Sequence, residues 1–336
     1  MRFFCTYFDR AFLSRAVALY HSLRARCPEF RLWALCMDAE SYDAVVRLAL
    51  PGLQPVPLAE LERHDPDLLR VKDQRSRLEY FFTCSPAWPL FLLERQPEID
   101  LLTYLDADLY FYGSPEAVFA EMGDASIALI PHRFADQLQE CYGRFNVGWL
   151  SFRPDANGLA CLRWWREQCL EWCHARVEGE RYADQKYLDQ WPERFAEVHV
   201  VRHKGANLGP WNLRNYRVTE DAGVVRVDED PLLFYHFSSF LQVAPWLYNT
   251  NLSAWGVRPN RVVRRRVMGA YIAALRAAAW ECERLLAAMP TPASGAAPRA
   301  AGSRREWLRR KGRALSRIGG GLLLQDHLPF LCGQVL

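Results

Sequence analysis

The chain has no uncharged apolar run of the ~18–20 residues that a membrane-spanning helix needs. A secretory leader is also not expected, because Asp9 and Arg10 follow at once on the short apolar stretch at residues 3–8. The ten cysteines fall at irregular spacings with no CxxC pair. They read as small apolar residues of a reducing compartment, so a cytoplasmic protein is expected. Cys169, Cys173 and His174 lie close together but have no matching second half, and a zinc site is not expected there. Net charge is small: 42 Lys and Arg stand against 39 Asp and Glu. Within that +3, residues 304–336 carry seven bases and two acids, which leaves the rest of the chain near −2. A body without a basic excess argues against nucleic acid as a partner. Disorder is excluded by the 50% of residues that are hydrophobic.

What is present is an α/β rhythm. Residues 2–8, 30–37 and 53–58 read as strands, and residues 11–25 and 39–50 as amphipathic helices between them. This βαβαβ order predicts a parallel, doubly wound sheet. Residues 73–95 read as helical, with a break or kink expected at Pro86 and Pro89. Further strands are expected at 101–105, 126–131, 147–152, 198–201 and 232–237, and helices at 158–177, 182–190 and 260–289. Trp164, Trp165 and Trp172 recur at helical spacing and read as core. Four segments are expected: an α/β domain at 1–258, a helix at 259–289, a Pro-rich linker at 290–303 and a basic amphipathic tail at 304–336.

The sharpest chemical feature is Asp106-Ala107-Asp108, directly after the apolar strand 101–105. Ligands of doubly wound sheets collect at the carboxyl ends of strands. Two carboxylates one residue apart at such an end suit Mn²⁺ or Mg²⁺, which take oxygen ligands and bridge substrate phosphates. A haloacid-type phosphatase also opens on a DxD after a strand. Its motif sits near the N-terminus with Thr or Val close behind, whereas Leu109 and Tyr110 follow here.

Four motifs in order carry a family resemblance: Tyr104-Leu105-Asp106-Ala107-Asp108, Phe145-Asn146-Val147-Gly148, Asp184-Gln185-Lys186-Tyr187-Leu188 and Phe234-Tyr235-His236-Phe237. From Arg2 to about Phe240 the chain resembles the GT-A nucleotide-sugar glycosyltransferases, in particular the retaining family 8 type. The resemblance implies a Rossmann-like α/β fold, with a mostly parallel central sheet flanked by helices and a C-terminal helical extension. It implies that Asp106, Asp108 and His236 ligate Mn²⁺ (or Mg²⁺) and that the donor is a nucleotide sugar, most simply a UDP-sugar. Asn146 would line the sugar pocket, Asp184 would hold sugar hydroxyls and Gln185 would lie near the anomeric carbon. Cys5, Thr6 and Tyr7 would meet the base and ribose, and Asn207 would approach donor or acceptor. The family's lysine before Pro-Trp is replaced here by Ala244, so Lys204 is the candidate cation for the diphosphate, and Arg77 or Lys72 the candidate for a sugar-contacting cation. The implied activity is transfer of a sugar, with retention, to a glycan or lipid-linked acceptor of cell-surface polysaccharide synthesis.

Two alternatives stay open. A sugar nucleotidyltransferase would want a Gly-rich phosphate loop, and residues 5–13 contain no glycine. A non-catalytic carbohydrate-binding or scaffold protein would not need the acids and His236. The tail interleaves Trp307, Leu308, Leu315 and Ile318 with its bases. That pattern suits an interfacial helix on the anionic inner face of a membrane.

Overall fold

The computed structural model describes residues 1–134, 141–287 and 322–324. A seven-stranded sheet forms from β1 (Arg2–Phe8), β2 (Phe30–Cys36), β3 (Leu53–Pro57), β4 (Leu102–Leu105), β6 (Ile127–Pro131), β7 (Phe145–Phe152) and β8 (Val198–Val200). The chain places β5 (Leu109–Phe111) outside that sheet. The order is β3-β2-β1-β4-β7-β6-β8. The first four strands run parallel, β7 is antiparallel to both of its neighbours, and β6 and β8 are parallel. The expected fold class is therefore observed: α/β, with a mostly parallel sheet flanked by helices and a C-terminal helix at Gly269–Ala287.

Local chemistry explains several elements. Asp38 accepts from Ser41 N and opens the helix Ala39–Leu48. Pro55 and Pro57 are tolerated because β3 lies at the sheet edge, where a missing N–H costs no ladder bond. The expected break at Pro86 and Pro89 does not occur: the helix Arg77–Arg95 runs through both, opened by a capping box between Ser76 and Glu79. Its interior residues are buried on both sides of the prolines, and Trp88 stacks on Phe91 at 5.6 Å, so tertiary packing outweighs the lost hydrogen bonds. Residues 182–190 form no α-helix; a 3₁₀ turn spans Lys186–Gln190, and Ala183 before it has φ 47°. The residues ahead of the C-terminal helix, Val263–Met268, are wound as a π-helix.

The core lies on both faces of the sheet. On one face Trp33, Trp88, Trp165 and Trp191 are fully buried, with Trp164 partly buried against them. On the other, Trp149, which pairs with Leu105 at the end of β4, stacks on Phe234 at 5.1 Å. Beyond the large sheet come β9 (Val218–Asp221), β10 (Val224–Val227), β11 (Asp230–Pro231) and β12 (Phe234–His236), then β13 (Leu241–Ala244), β14 (Leu247–Asn249) and β15 (Leu322–Leu324). The expected linker at 290–303 lies outside the described residues. So does the tail at 304–336, apart from β15, which pairs antiparallel with β14.

Candidate active site

The site is assembled where the sheet changes direction. Past Leu105 the chain leaves β4, Asp106 N donates to Gly148 O at 3.1 Å, and Asp106-Ala107-Asp108 turns into β5. β12 pairs antiparallel with β5 and sets His236 opposite Leu109, while Phe237 N donates to Asp108 O at 3.0 Å. A two-strand ladder thus brings a residue 128 positions away against the DxD turn. His236 Nε2 is 3.1 Å from Asp108 Oδ1 and 3.5 Å from Asp106 Oδ2. Among the described residues these three form the one His/Cys/Asp/Glu group whose ligand atoms all lie within 4.8 Å of one another.

The electrostatics of this cluster are those of a site that favours a cation. Burial raises the Asp106 carboxyl above its ordinary range, and the charge of Asp108 adds to that. Burial also works against Asp108, but the neighbouring His236 outweighs it and holds Asp108 low. His236 is raised in turn by the two carboxylates, despite its own burial. Two carboxylate oxygens and one imidazole nitrogen make a donor set that suits Mn²⁺ and is acceptable to Mg²⁺. The residues present therefore fit the metal that the resemblance implies.

The cluster opens on a cleft of about 940 Å³, within the size range of small-molecule sites. Asn146 on β7 and Asp184 and Gln185 ahead of the 3₁₀ turn line it together with the three acid and imidazole groups. Asp184 is buried; burial first, and the charge of Asp106, raise its carboxyl to about 7 despite a hydrogen bond with Ser85. Gln185 Nε2 donates to Tyr142 O at 2.8 Å. Tyr7 lines the cleft and its hydroxyl pairs with Ser85 Oγ at 3.1 Å. Tyr104 donates to Asp106 Oδ1 at 2.8 Å.

Several expected residues are not brought in. Cys5 and Thr6 are fully buried inside β1 and are absent from the cleft lining. Of the three β1 residues, only Tyr7 reaches the cleft, next to Phe8 at the strand's carboxyl end. Lys204 is not among the lining residues either: its ammonium sits 3.1 Å from Asp228 and 2.8 Å from Glu229. Asn207 is buried at φ 61° outside the lining. Lys72 is held by Glu62. Arg77 does line the cleft, tethered to Asp9 and Asp38 at 3.0 and 3.2 Å.

Other lining residues were not singled out in the sequence. Phe12, Phe81, Phe82, Phe134, Trp211 and Trp255 line the cleft. His132 lies just past the carboxyl end of β6, the same position rule that marks Asp106, so that rule applied strand by strand would have flagged it. Burial pushes the His132 imidazole down to about 3, helped by His236, so it is neutral.

Fold and site together define an α/β protein with a carboxylate–carboxylate–imidazole cluster at the carboxyl end of its central strand, facing an aromatic cleft. Two relatives share much of the chain. The uncharacterized protein YfnD of Bacillus subtilis (strain 168) is 35% identical over 251 residues, covering 73% of this chain and 80% of the relative. YfnF of the same organism, also named as uncharacterized, is 36% identical over 247 residues, covering 70% and 81%. The chain belongs to the family of these two proteins. No family model matches it. Among solved structures, apo mouse xyloside xylosyltransferase 1 is similar at 14% identity and a TM-score of 0.46, over 71% of this chain and 98% of that one. The galactosyltransferase LgtC, solved with donor and acceptor sugar analogues, is similar at 17% identity and a TM-score of 0.47, over 86% and 97%.

Proposed function

We propose that the protein is a metal-dependent glycosyltransferase that moves a sugar from a nucleotide-diphosphate donor, a UDP-sugar, to a glycan or lipid-linked acceptor with retention. The observation that carries the reading is that the Asp106–Asp108–His236 cluster lines one cleft together with Asp184 and Gln185. A Mn²⁺ or Mg²⁺ held by the three residues would neutralise the charge that builds on a leaving diphosphate. Asp184 accepts hydroxyls of the transferred sugar. Tyr7 and the phenylalanines at 12, 81 and 82 give the nucleoside an aromatic wall. Gln185 is an amide and a poor nucleophile, and its nitrogen is already engaged by Tyr142 O. The acceptor therefore attacks on the face that the diphosphate leaves.

The test is donor turnover. The protein is incubated with a panel of nucleotide sugars, with Mn²⁺ or with EDTA, and released nucleotide is assayed. Metal-dependent release from one donor is expected, since slow hydrolysis needs no acceptor. Absence of release from every donor, with no nucleotide binding either, would overturn the reading in favour of a binding protein. A sugar trapped covalently on Gln185 would overturn attack on the leaving face alone.

The basic tail supports work at the cytoplasmic face of a membrane, where lipid-linked acceptors are built. No helix among the described residues is long and apolar enough to cross a membrane. Each base near an anionic surface contributes about 1 kcal/mol, lost at high salt. Co-sedimentation with anionic vesicles at low salt, absent with neutral ones, is the expected result; equal binding to both would remove this part of the proposal.

A further inference from the structure

Asn146 sits at the centre of a hydrogen-bond chain that ends on a metal-binding nitrogen. Gly148 N donates to Asn146 Oδ1 at 2.9 Å. A backbone N–H can only donate, so this bond settles which side of the amide is oxygen. His236 Nδ1 lies 3.2 Å from that same oxygen and therefore carries a proton. The other ring nitrogen, Nε2, faces Asp108 and Asp106 at 3.1 and 3.5 Å. On the far side, Asn146 Nδ2 is 3.0 Å from His132 Nε2. An amide nitrogen only donates, so His132 Nε2 accepts.

The surroundings leave this arrangement little freedom. A Cβ on Gly148 would come within 2.6 Å of Asn146 Oδ1 and 2.8 Å of the His236 ring. Trp211 meets both imidazoles edge-on, at 5.1 Å from His236 and 5.5 Å from His132, and its Nε1 donates to His132 O at 2.9 Å. The second Nδ2 proton of Asn146 points to Gln185 Oε1 at 3.5 Å. Both sides of the amide are thus occupied by protein, and none of its capacity is left for a sugar hydroxyl.

We propose that Asn146 is a positioning residue, backed by His132, that fixes the tautomer and orientation of His236 so that Nε2 is presented to the divalent cation. This departs from the sugar-lining role that the family resemblance implies for Asn146. It rests on the metal-site part of the functional reading and not on sugar transfer. Partners that hold a ligand imidazole through its other nitrogen are worth ~10–100-fold in metal affinity.

The experiment is titration of the full chain with Mn²⁺ alone, reading free Mn²⁺ by electron paramagnetic resonance, with the melting temperature of the metal-free protein measured alongside. Asn146→Leu is expected to weaken Mn²⁺ binding ~10–100-fold. Asn146→Asp keeps the accepting oxygen and is expected to stay within a few-fold of wild type, which keeps the test open if Asn146→Leu does not fold. Saturating Mn²⁺ is expected to restore donor release in Asn146→Leu, which it would not do for a lost sugar contact. Wild-type Mn²⁺ affinity in a folded Asn146→Leu protein would overturn the proposal, as would loss of binding in a folded Asn146→Asp or no Mn²⁺ binding by wild type. Mn²⁺ binding with the expected variant pattern but no release from any donor would instead remove the transferase reading and leave the positioning role intact.

Discussion

Asp108→Asn is expected to lower metal-dependent donor release by ~10²–10³-fold or more, the scale of losing preorganised charge stabilisation at a reacting centre. Asp108 makes the closest contact with His236 in the cluster, 3.1 Å from Oδ1 to Nε2, and its side chain is only 13% exposed. Asparagine is nearly isosteric, so the turn between β4 and β5 and the ladder from β5 to β12 remain. Phe237 N still donates to the residue 108 carbonyl, because that bond uses the backbone. The lost activity should therefore come with a similar melting temperature in EDTA and a much smaller Mn²⁺-induced rise than wild type, since a ligand that binds only the folded state stabilises it. Release at the wild-type rate would place the chemistry elsewhere in the cleft.

Asp184→Asn is expected to separate activity from stability. Donor release should fall ~10²-fold or more through loss of a buried charged contact to the sugar. Stability should move the other way, in a pH-dependent manner. Burial raises the Asp184 carboxyl from 3.8 to about 7. Between those values the folded chain binds more protons at this site than the unfolded chain, so stability falls as pH rises through the window. Above it the full penalty applies, up to about 4 kcal/mol for a shift of about three units. Asparagine cannot ionise and avoids that penalty. Urea melts of metal-free protein should show the variant more stable than wild type at about pH 8 and similar to it at about pH 4. Equal stability at the higher pH would mean that Asp184 is solvated in solution.

The strands and the DxD turn were legible because their signals are local. An apolar run such as residues 101–105 has to be buried, and a pair of acids at its carboxyl end has few structural reasons to be there. His236 could be singled out only through its place in an ordered set of motifs, since a histidine in an apolar stretch looks the same whether it packs or ligates. The ladder from β5 to β12 is what makes it a partner of Asp108. Lys204, which the sequence offers for the diphosphate, lies outside the cleft lining for the converse reason. A lysine beside a motif reads as available until the fold supplies Asp228 and Glu229. The prolines at 86 and 89 carry a strong local signal against a helix, and packing overrode it.

The sequence by itself determined the α/β class, the strands of the parallel half, the acid pair at the end of β4 and the apolar character of most cysteines. Hydrophobic periodicity and short motifs act within a few residues of one another, so they can be read along the chain. Only the tertiary structure decided which distant groups meet: His236 with Asp106 and Asp108, Asn146 between two imidazoles, Asp184 buried in the wall of the cleft, and Tyr7 reaching that cleft where Cys5 and Thr6 do not. Those relations depend on strand order, on the register of a short ladder and on what each buried polar atom finds to bond with. None of them is a property of any local stretch of residues.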